Sequence, residues 1–236
     1  MKLITWNCNM AFRKKADVIL AHRPDILIVQ ECEHPDKIDF RLHKKAPQSV
    51  RWFGNNPNKG LGIFVYADYT VTLHPSYNES IRWVVPLVVK DGNHRYTLFA
   101  IWAHNPQDPD GQYVTQVWKA LQQYQTLIKK TNTILIGDFN SNTIWDRPKR
   151  EGNHSTVVAH LQQRNIHSVY HRQHLQIQGS EKHPTFYLYR HQAKPYHLDY
   201  CFASGDWMAR LTSVKLGRFH HWKKYSDHVP LMVNFG

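Results

Sequence analysis

Cysteine is scarce in this sequence. Only Cys8, Cys32 and Cys201 are present among 236 residues. A small, odd number does not suit the disulfide framework of a small secreted protein. We interpret Cys8 and Cys32 as core thiols. The N-terminal segment lacks the apolar core of a signal peptide, and no run of about eighteen apolar residues follows it. We therefore expect no membrane span, a reducing environment and a cytoplasmic location.

The sequence also lacks internal repeats, low-complexity segments and an evident linker. These absences favour a single domain, residues 1–236, because mixed α/β enzymes of this length commonly form one domain. Hydrophobic residues make up 42% of the chain and aromatic residues 13%. A chain with so many large apolar groups can bury a core, which excludes an intrinsically disordered protein.

Acidic residues are fewer than basic residues in this sequence. Eighteen Asp and Glu stand against thirty Lys and Arg, which leaves a formal net charge of +12, and seventeen His would raise it in mild acid. Such a charge attracts polyanions over long range. Nucleic acid, an anionic membrane surface and phosphorylated metabolites all fit this description, so the charge alone does not choose among them.

Apolar patterns predict alternating strands and helices. The chain opens with a strand at 3–6, a helix at 11–22 and a strand at 25–30. Further strands are predicted at 61–66, 82–90, 96–103, 133–136, 198–203, 211–216 and 229–235, with helices at 111–130 and 154–164. The mixture of crossovers and hairpins predicts an α/β (α+β) fold with two packed mixed sheets and helices outside them.

Four acidic residues stand where predicted strands end, and loops at strand ends commonly present catalytic groups. They are Glu31, Asp138, Asp199 and Asp227, accompanied by Asn7, Asn9, Asn140, His104 and His228. The set is rich in oxygen ligands and has no thiolate cluster. It therefore suits a hard cation, Mg²⁺ or Mn²⁺, rather than zinc.

Seven short segments occur in the order and approximate spacing of a known family: TWNCN, VQECE, AHNPQ, GDFNSN, HPTFYLY, HLDYCF and YSDH. Any one of them recurs by chance, whereas seven in order are specific. Over nearly its whole length the chain resembles the endonuclease/exonuclease/phosphatase superfamily, which includes pancreatic-type deoxyribonuclease and the apurinic-site repair endonucleases. The resemblance implies a four-layer α/β sandwich and a metal-dependent hydrolase of phosphate esters.

The resemblance also implies a metal site. Glu31 matches the family's principal metal ligand, with Asn7 and Asp227 beside it and Asn9 toward the phosphate. From the residues alone, Glu31 is equally a solvated strand end, and the two asparagines a turn-forming pair. We interpret Glu33 as solvated.

The remaining site residues receive roles from the resemblance. Asp138 would orient or deprotonate the attacking water, and Asn140 would hold that water or a phosphate oxygen. His228 would contact the scissile phosphate, with Asp199 fixing its tautomer. Without the resemblance, the pattern of Asp138 and Asn140 indicates an Asx turn, and His228 would be interpreted as an ordinary surface imidazole.

His104 departs from the repair endonucleases, which carry Tyr there, and agrees with the deoxyribonuclease-like members, which carry a second His. This puts apurinic-site specificity in doubt but keeps a group that can donate a proton to a leaving oxygen. Gln107, Arg190 and Lys194 are predicted to bind substrate. Aromatic residues among the C-terminal cations are either core or a stacking platform for bases: Trp145, Phe186, Tyr187, Tyr189, Tyr196, Trp207 and Trp222.

The sequence thus predicts a metal-dependent nuclease that acts on DNA or RNA. One alternative is a phosphatase or phosphodiesterase acting on inositol phosphates, lipids or small nucleotides. The other is a basic nucleic-acid-binding module without catalysis.

Overall fold

The structure is a computed structural model that describes residues 1–104 and 113–236. Within those residues the strands are β1 Lys2–Asn7, β2 Ile26–Cys32, β3 Ser49–Asn56, β4 Lys59–Val65, β5 Thr70–Leu73, β6 Val84–Asp91, β7 His94–Trp102, β8 Thr133–Asp138, β9 Ile166–Ser168, β10 Phe186–Tyr187, β11 Pro195–Tyr196, β12 Asp199–Ser204, β13 Leu211–Leu216 and β14 Leu231–Phe235. The α-helices there are α1 Ala16–Leu20, α2 Val114–Gln123, α3 His154–Gln162, α4 Val169–His174, α5 Gly205–Ala209 and α6 Phe219–Trp222.

Twelve of these described strands form two mixed sheets. The first sheet has the order β13-β14-β1-β2-β4-β3, the second β5-β6-β7-β8-β12-β9, and β10 pairs with β11 separately. The β1–β2 and β7–β8 pairs are parallel, and the other pairs are antiparallel. The two inner faces pack against each other through residues such as Leu3 and Ile63 from the first sheet and Leu98 and Ile136 from the second.

The outer faces are covered by helices and turns. Leu121 of α2 and Leu161 of α3 pack on Phe99 of the second sheet, and Ile19 and Trp222 pack on the first. The result is a four-layer α/β sandwich, as predicted. None of the helices in the described residues is long and apolar enough to cross a membrane.

The parallel pairs determine where the site lies, because parallel strands end at the same edge of a sheet. Asn7 at the end of β1 is paired with Gln30 of β2, and Trp102 at the end of β7 is paired with Asp138 of β8. The buried Gln30 amide donates to the Ile101 carbonyl oxygen at 2.9 Å. This bond joins the two sheets directly beneath the edge where the polar residues gather.

Two sequence predictions were wrong in extent. The helix expected at 11–22 is reduced to a short turn and α1, because Ala11 has a φ of 50°, outside the helical region, and Lys15, with a φ of −130°, separates the turn from α1. The helix expected at 111–130 ends at Gln123, and its first two residues lie outside the described part. Strands β3, β5, β9, β10 and β11 and helices α4, α5 and α6 were not predicted. The polar residues of β3 interrupt any apolar run, and the other elements are too short to show an apolar period.

Candidate active site

The predicted site residues meet at one edge of the sandwich. Asn7 ends β1, Asp138 ends β8, and Asp199 begins β12, where it is paired with Asp138. Asp227 and His228 immediately precede the last strand and reach this edge from the far end of the chain. Residues more than 200 positions apart along the sequence are joined here, as in the 3.0 Å bond from Asn9 Nδ2 to Asp227 Oδ1.

Asp138 is fully buried, and both of its oxygens are hydrogen-bonded. Asn7 Nδ2 donates to Oδ2 at 3.1 Å, and the Asn140 backbone N–H donates to Oδ1 at 2.8 Å. Burial raises the pKa of Asp138, and Asp199 raises it further, against the opposing effects of His228 and the two hydrogen bonds. A carboxylate whose pKa is raised is a stronger base than an ordinary Asp.

His228 and Asp199 form a buried pair. His228 Nδ1 lies 2.9 Å from Asp199 Oδ2. Burial alone would lower the pKa of His228, but the charges of Asp199 and Asp138 outweigh it and raise the pKa to about 10. The imidazole is therefore protonated at neutral pH, with Nδ1 donating to Asp199. The Phe186 ring, whose centroid is 4.7 Å from that of His228, covers this pair.

Two groups of residues are candidates for a metal ion. Ligand atoms of Asp138, Asp199 and His228 lie within 4.8 Å of one another and could hold one. However, His228 Nδ1 is already bonded to Asp199 Oδ2, and both oxygens of Asp138 accept hydrogen bonds from Asn7 and Asn140. This group is better described as a hydrogen-bonded unit.

The oxygen ligands of Asn7, Glu31 and Asp227 fit a hard cation better. Asn9 links two of them, since its backbone N–H donates to Asn7 Oδ1 at 3.1 Å and its side chain donates to Asp227. Glu31 has a φ of 56° at the point where the β2–β4 register shifts, so a bulge redirects its side chain. Glu31 Oε1 lies 3.2 Å from Lys59 Nζ, a cation already held at this carboxylate.

His104 lies beside Glu31 and Lys59. Its ring stacks on Trp102 with centroids 4.7 Å apart, and both line a cleft of about 420 Å³. Burial lowers the pKa of His104, Lys59 lowers it further, and Glu31 opposes both. His104 is therefore neutral at neutral pH, which makes it a hydrogen-bond donor rather than a ready source of protons.

The predicted substrate-binding residues are less closely joined. Arg190 and Lys194 are exposed at the periphery of the site. Burial lowers the pKa of Lys15, and the charge of Arg190 lowers it further. Lys194 Nζ lies 5.4 Å from the ring centroid of Tyr189. Lys15 in turn donates to the Asn9 carbonyl oxygen at 3.1 Å. Gln107 lies outside the described residues.

One smaller interpretation was wrong. Glu33 is buried rather than solvated, because it accepts the backbone N–H groups of Phe12 and Arg13 and pairs with the Arg13 guanidinium at 2.9 Å. Trp207 and Trp222 are core residues, 4% and 2% exposed, and cannot stack on bases. Cys8 and Cys32 are buried free thiols, as expected, and Cys201 is also one.

Sequence reasoning missed a buried polar network behind the site. Glu181 Oε1 lies 3.0 Å from His171 Nε2, and Glu181 Oε2 accepts from Asn142 Nδ2 at 3.1 Å. Ser141 Oγ lies 2.8 Å from His154 Nδ1. Ser141 and Asn142 lie three and four positions after Asp138, so the network holds the loop that follows the carboxylate. No local pattern signals it, because its members come from separate segments.

Glu181→Gln should destabilise the fold by about 3 kcal/mol near neutral pH, since an amide cannot accept all the hydrogen bonds that the buried carboxylate makes with His171, Gly179 and Asn142. Burial would raise the pKa of Glu181, but hydrogen bonds from His171, Gly179 and Asn142 lower it to about 2. Because its pKa is lowered in the folded state, the Glu181 carboxylate stabilises the fold at pH values above its unfolded-state pKa of about 4. This stability is lost as the pH falls through about 2.

Urea denaturation at pH 7 and at pH 2 measures this effect, with Glu79→Gln at an exposed position as the control. Equal free energies of unfolding for Glu181→Gln and wild type at pH 7 would show that these hydrogen bonds are not stabilising.

Residues 4–228 match the model of the Endonuclease/Exonuclease/phosphatase family. The chain belongs to this family, which confirms the resemblance noted from the motifs. It is accordingly a phosphoesterase, an enzyme of the hydrolase class. No curated protein sequence matches the chain.

Solved structures share the fold over nearly the full chain. AP endonuclease LMAP from Leishmania major has a TM-score of 0.70 at 14% identity, covering 98% of this chain and 86% of its own. The 3′ phosphatase NExo from Neisseria, bound to a product DNA hairpin, has a TM-score of 0.68 at 18% identity, covering 100% and 99%. An AP endonuclease from Archaeoglobus fulgidus has a TM-score of 0.66 at 19% identity, covering 100% and 99%.

Proposed function

We propose that the chain is a divalent-metal-dependent nuclease that hydrolyses phosphodiester bonds of DNA or RNA by attack of a water molecule. The observation that carries the proposal is the buried cluster of Asp138, Asp199 and His228, whose polar atoms lie within 4.8 Å of one another and in which His228 Nδ1 is bonded to Asp199. Burial raises the pKa of Asp138, and the neighbouring carboxylates outweigh burial and raise the pKa of His228. A base and a fixed positive charge at one site are what water attack on a phosphate anion requires. The net charge of +12 supports a polyanionic substrate.

Each residue has a role in this proposal. Asp138 orients the attacking water and takes up its proton. Asn140 and Asn9 hold the water or a phosphate oxygen by their amides. His228 stabilises the negative charge that builds on the phosphate, and Asp199 keeps its ring oriented and protonated. His104, being neutral, donates a hydrogen bond to the phosphate or the leaving oxygen instead of supplying a free proton.

The cation, Mg²⁺ or Mn²⁺, would be held by Glu31 and Asp227 with the amide oxygen of Asn7. When bound, such a cation lowers the pKa of water and neutralises phosphate charge. Oxygen ligands and the absence of thiolates at this edge of the described structure favour these ions over zinc. Lys59 occupies the Glu31 carboxylate here, and we expect the two cations to compete for it.

Glu31→Gln tests the proposed metal ligand, because it keeps the side chain's size and removes its charge. We expect the Mg²⁺ concentration at half-maximal rate to rise at least about tenfold, since even indirect partners of a metal contribute factors of that size. Excess cation should restore part of the rate.

The measurement is hydrolysis of a single-stranded oligonucleotide against Mg²⁺ concentration, with Asp91→Asn as the control at an exposed carboxylate, which is paired with His94 at the end of β7 away from the cleft. A wild-type metal titration for Glu31→Gln would remove Glu31 from the site. Undiminished wild-type turnover after exhaustive chelation would overturn the metal mechanism itself.

Aromatic rings extend from the site toward solvent and support a nucleic-acid substrate. The Phe186 ring contacts His228, the Tyr196 ring centroid lies 6.3 Å from that of Phe186, and the Trp145 ring centroid lies 4.8 Å from that of Tyr196. Trp145, at the end of this row, is 43% exposed. Bases of a single strand can stack on such exposed faces.

Trp145→Ala should weaken single-strand binding by about 1–3 kcal/mol, the usual contribution of one base stacked on an aromatic ring. Trp145→Phe keeps an aromatic face and should retain most of the affinity. Fluorescence anisotropy with a labelled oligonucleotide measures both. If the two variants lose affinity equally, or neither does, bases do not stack on Trp145.

A further inference from the structure

A second basic groove lies on the outer face of the first sheet. It encloses about 950 Å³, and its fixed positive charges are Lys2, Lys182, Lys215 and Arg218. Lys2 is paired with Asn234 and Lys215 with Met232, across the β1–β14 and β13–β14 ladders. Met232 belongs to the outer hydrophobic cluster, which places these side chains outside the sandwich. No Asp or Glu of the described chain lines the groove.

The four cations are not neutralised by the protein. Elsewhere Arg13, Arg41 and Lys59 pair with carboxylates. In the part of the chain that the structure describes, no carboxylate lies within ion-pair distance of any of the four groove cations. Like charges gathered without counter-charges repel one another, so an anion bound there would relieve that repulsion.

The imidazoles of His22, His174, His183 and His220 line the same groove. They add N–H groups that can donate to phosphate oxygens even in the neutral state. The lining therefore consists of donors and positive charges around an apolar strip of sheet and ring, a surface suited to a phosphate backbone.

The groove is separated from the active site by the two-residue strand β10. Phe186 packs on His228 on one side, whereas Tyr187 lines the groove and packs on Phe219, with ring centroids 4.5 Å apart. The Tyr187 backbone N–H also donates to the Asp227 carbonyl oxygen at 2.8 Å. A strand that leaves the site around β10 would meet the groove cations next.

We propose that this groove is a second nucleic-acid-binding site, which holds the phosphate backbone of a single strand outside the active site. The choice of nucleic acid as occupant rests on the proposed function, and the unneutralised cations supply the charge complementarity. The groove is concave, so it fits a strand better than the flat surface of a membrane. Its effect is to anchor long substrates; it takes no part in bond cleavage.

The test removes three exposed groove charges together: Lys182→Ala, Lys215→Ala and Arg218→Ala. A matched control removes three exposed cations away from the groove, Lys44→Ala, Lys90→Ala and Lys130→Ala, and leaves the same net charge. Because each phosphate contact on a single strand releases about 0.7 counterion, losing three contacts should weaken binding about a hundredfold near 0.1 M salt. The slope of log affinity against log salt should flatten by about 2.

Binding is measured by fluorescence anisotropy without divalent cation, using single strands of about 16 and about 4 nucleotides, the range of lengths that basic grooves hold. We expect the groove variant to lose affinity only for the longer strand, and the control to resemble wild type. Thermal melting checks that both variants fold, and the single change Arg218→Glu repeats the test with less alteration.

Equal losses in the groove variant and the control would reduce the effect to long-range charge and overturn the proposal, as would wild-type affinity in the groove variant. So would loss of binding to phosphatidylserine vesicles with oligonucleotide binding unchanged, since the occupant would then be a membrane. Cleavage is assayed separately: a wild-type chain that binds the long strand through the groove but cleaves no nucleic acid contradicts the proposed function and not the groove.

Discussion

Asp138→Asn is expected to lower kcat by at least about a hundredfold, because a positioned acid or base usually supplies two to four powers of ten. The amide has nearly the same shape but cannot take up the proton of water. The fold should tolerate the change, since burial makes the Asp138 charge costly, as its raised pKa indicates. Removing that charge relieves the cost of burial, but an amide can accept only one of the two hydrogen bonds from Asn7 and Asn140, so the melting temperature should stay near the wild-type value.

Steady-state hydrolysis and thermal melting measure the two effects. Asp206→Asn is the control, because Asp206 accepts hydrogen bonds from Ser204 and Asn132 and lies outside the site. The control should lose some stability and keep its rate, the opposite of Asp138→Asn. A native-like rate in a well-folded Asp138→Asn variant would show that Asp138 is only structural.

His228 should show the second large effect. His228→Ala is expected to reduce kcat at least about a hundredfold. It should also destabilise the protein, because it leaves the fully buried Asp199 without its partner. His228→Gln, which can still donate to Asp199, separates the loss of folding from the loss of charge.

Asp199→Asn should act through His228. In the wild-type protein the pKa of His228 is raised to about 10, so the protonated ring is lost only as pH rises through about 10. Without the Asp199 charge that pKa falls, and the alkaline decline of kcat/KM should move to lower pH. The raised pKa of His228 also stabilises the wild-type fold. This stabilisation is complete at pH values below the usual His pKa of about 6.5 and disappears as the pH rises through about 10.

A double variant separates a shared role from two independent ones. Combining Asp199→Asn with His228→Ala should cost much less than the sum of the single effects, because the two side chains act as one unit. Rates of the wild type, both single variants and the double variant, each at several pH values, complete the cycle. Fully additive losses, or an unmoved alkaline decline in Asp199→Asn, would contradict the proposed pair.

The sequence was sufficient for those parts of the fold that depend on local pattern. The apolar runs of β2 and β8 are buried on both faces, which is why they could be recognised and why Glu31 and Asp138 could be placed at strand ends. The bounds of the short helix α1 could not be predicted, because the non-helical backbone at Ala11 and Lys15 leaves no mark on apolar periodicity.

Glu31 and Glu33 show the same limit within the site. They are chemically identical and two positions apart, so alternation along a strand puts them on one face. The bulge at Glu31 breaks that alternation, and Glu33 turns into the protein to hold Phe12 and Arg13. Which of the two faces the site depends on β4 packing beside β2, a contact between distant segments.

The network around Glu181 could not be foreseen for a similar reason. His171, Glu181 and Asn142 come from three separate segments and meet only in the folded chain. The sequence motif was sufficient to predict Asp138 and Asn140 as site residues. The contacts that fix the loop after Asp138 are tertiary contacts, which the motif does not contain. The roles assigned to the site residues remain predictions, which the variants above test one by one.

The most direct test of the central claim is the rate at which the wild-type chain cleaves single-stranded DNA and RNA in Mg²⁺ or Mn²⁺, with the Asp138→Asn variant as the blank. The same preparation is assayed on an apurinic duplex, an inositol phosphate, a phospholipid and a phosphomonoester. The account predicts that DNA or RNA is cleaved faster than the lipid and inositol substrates, that chelation stops the reaction and that Asp138→Asn is inactive. Slow or absent cleavage of nucleic acid, together with faster hydrolysis of the phospholipid or inositol phosphate, would contradict it.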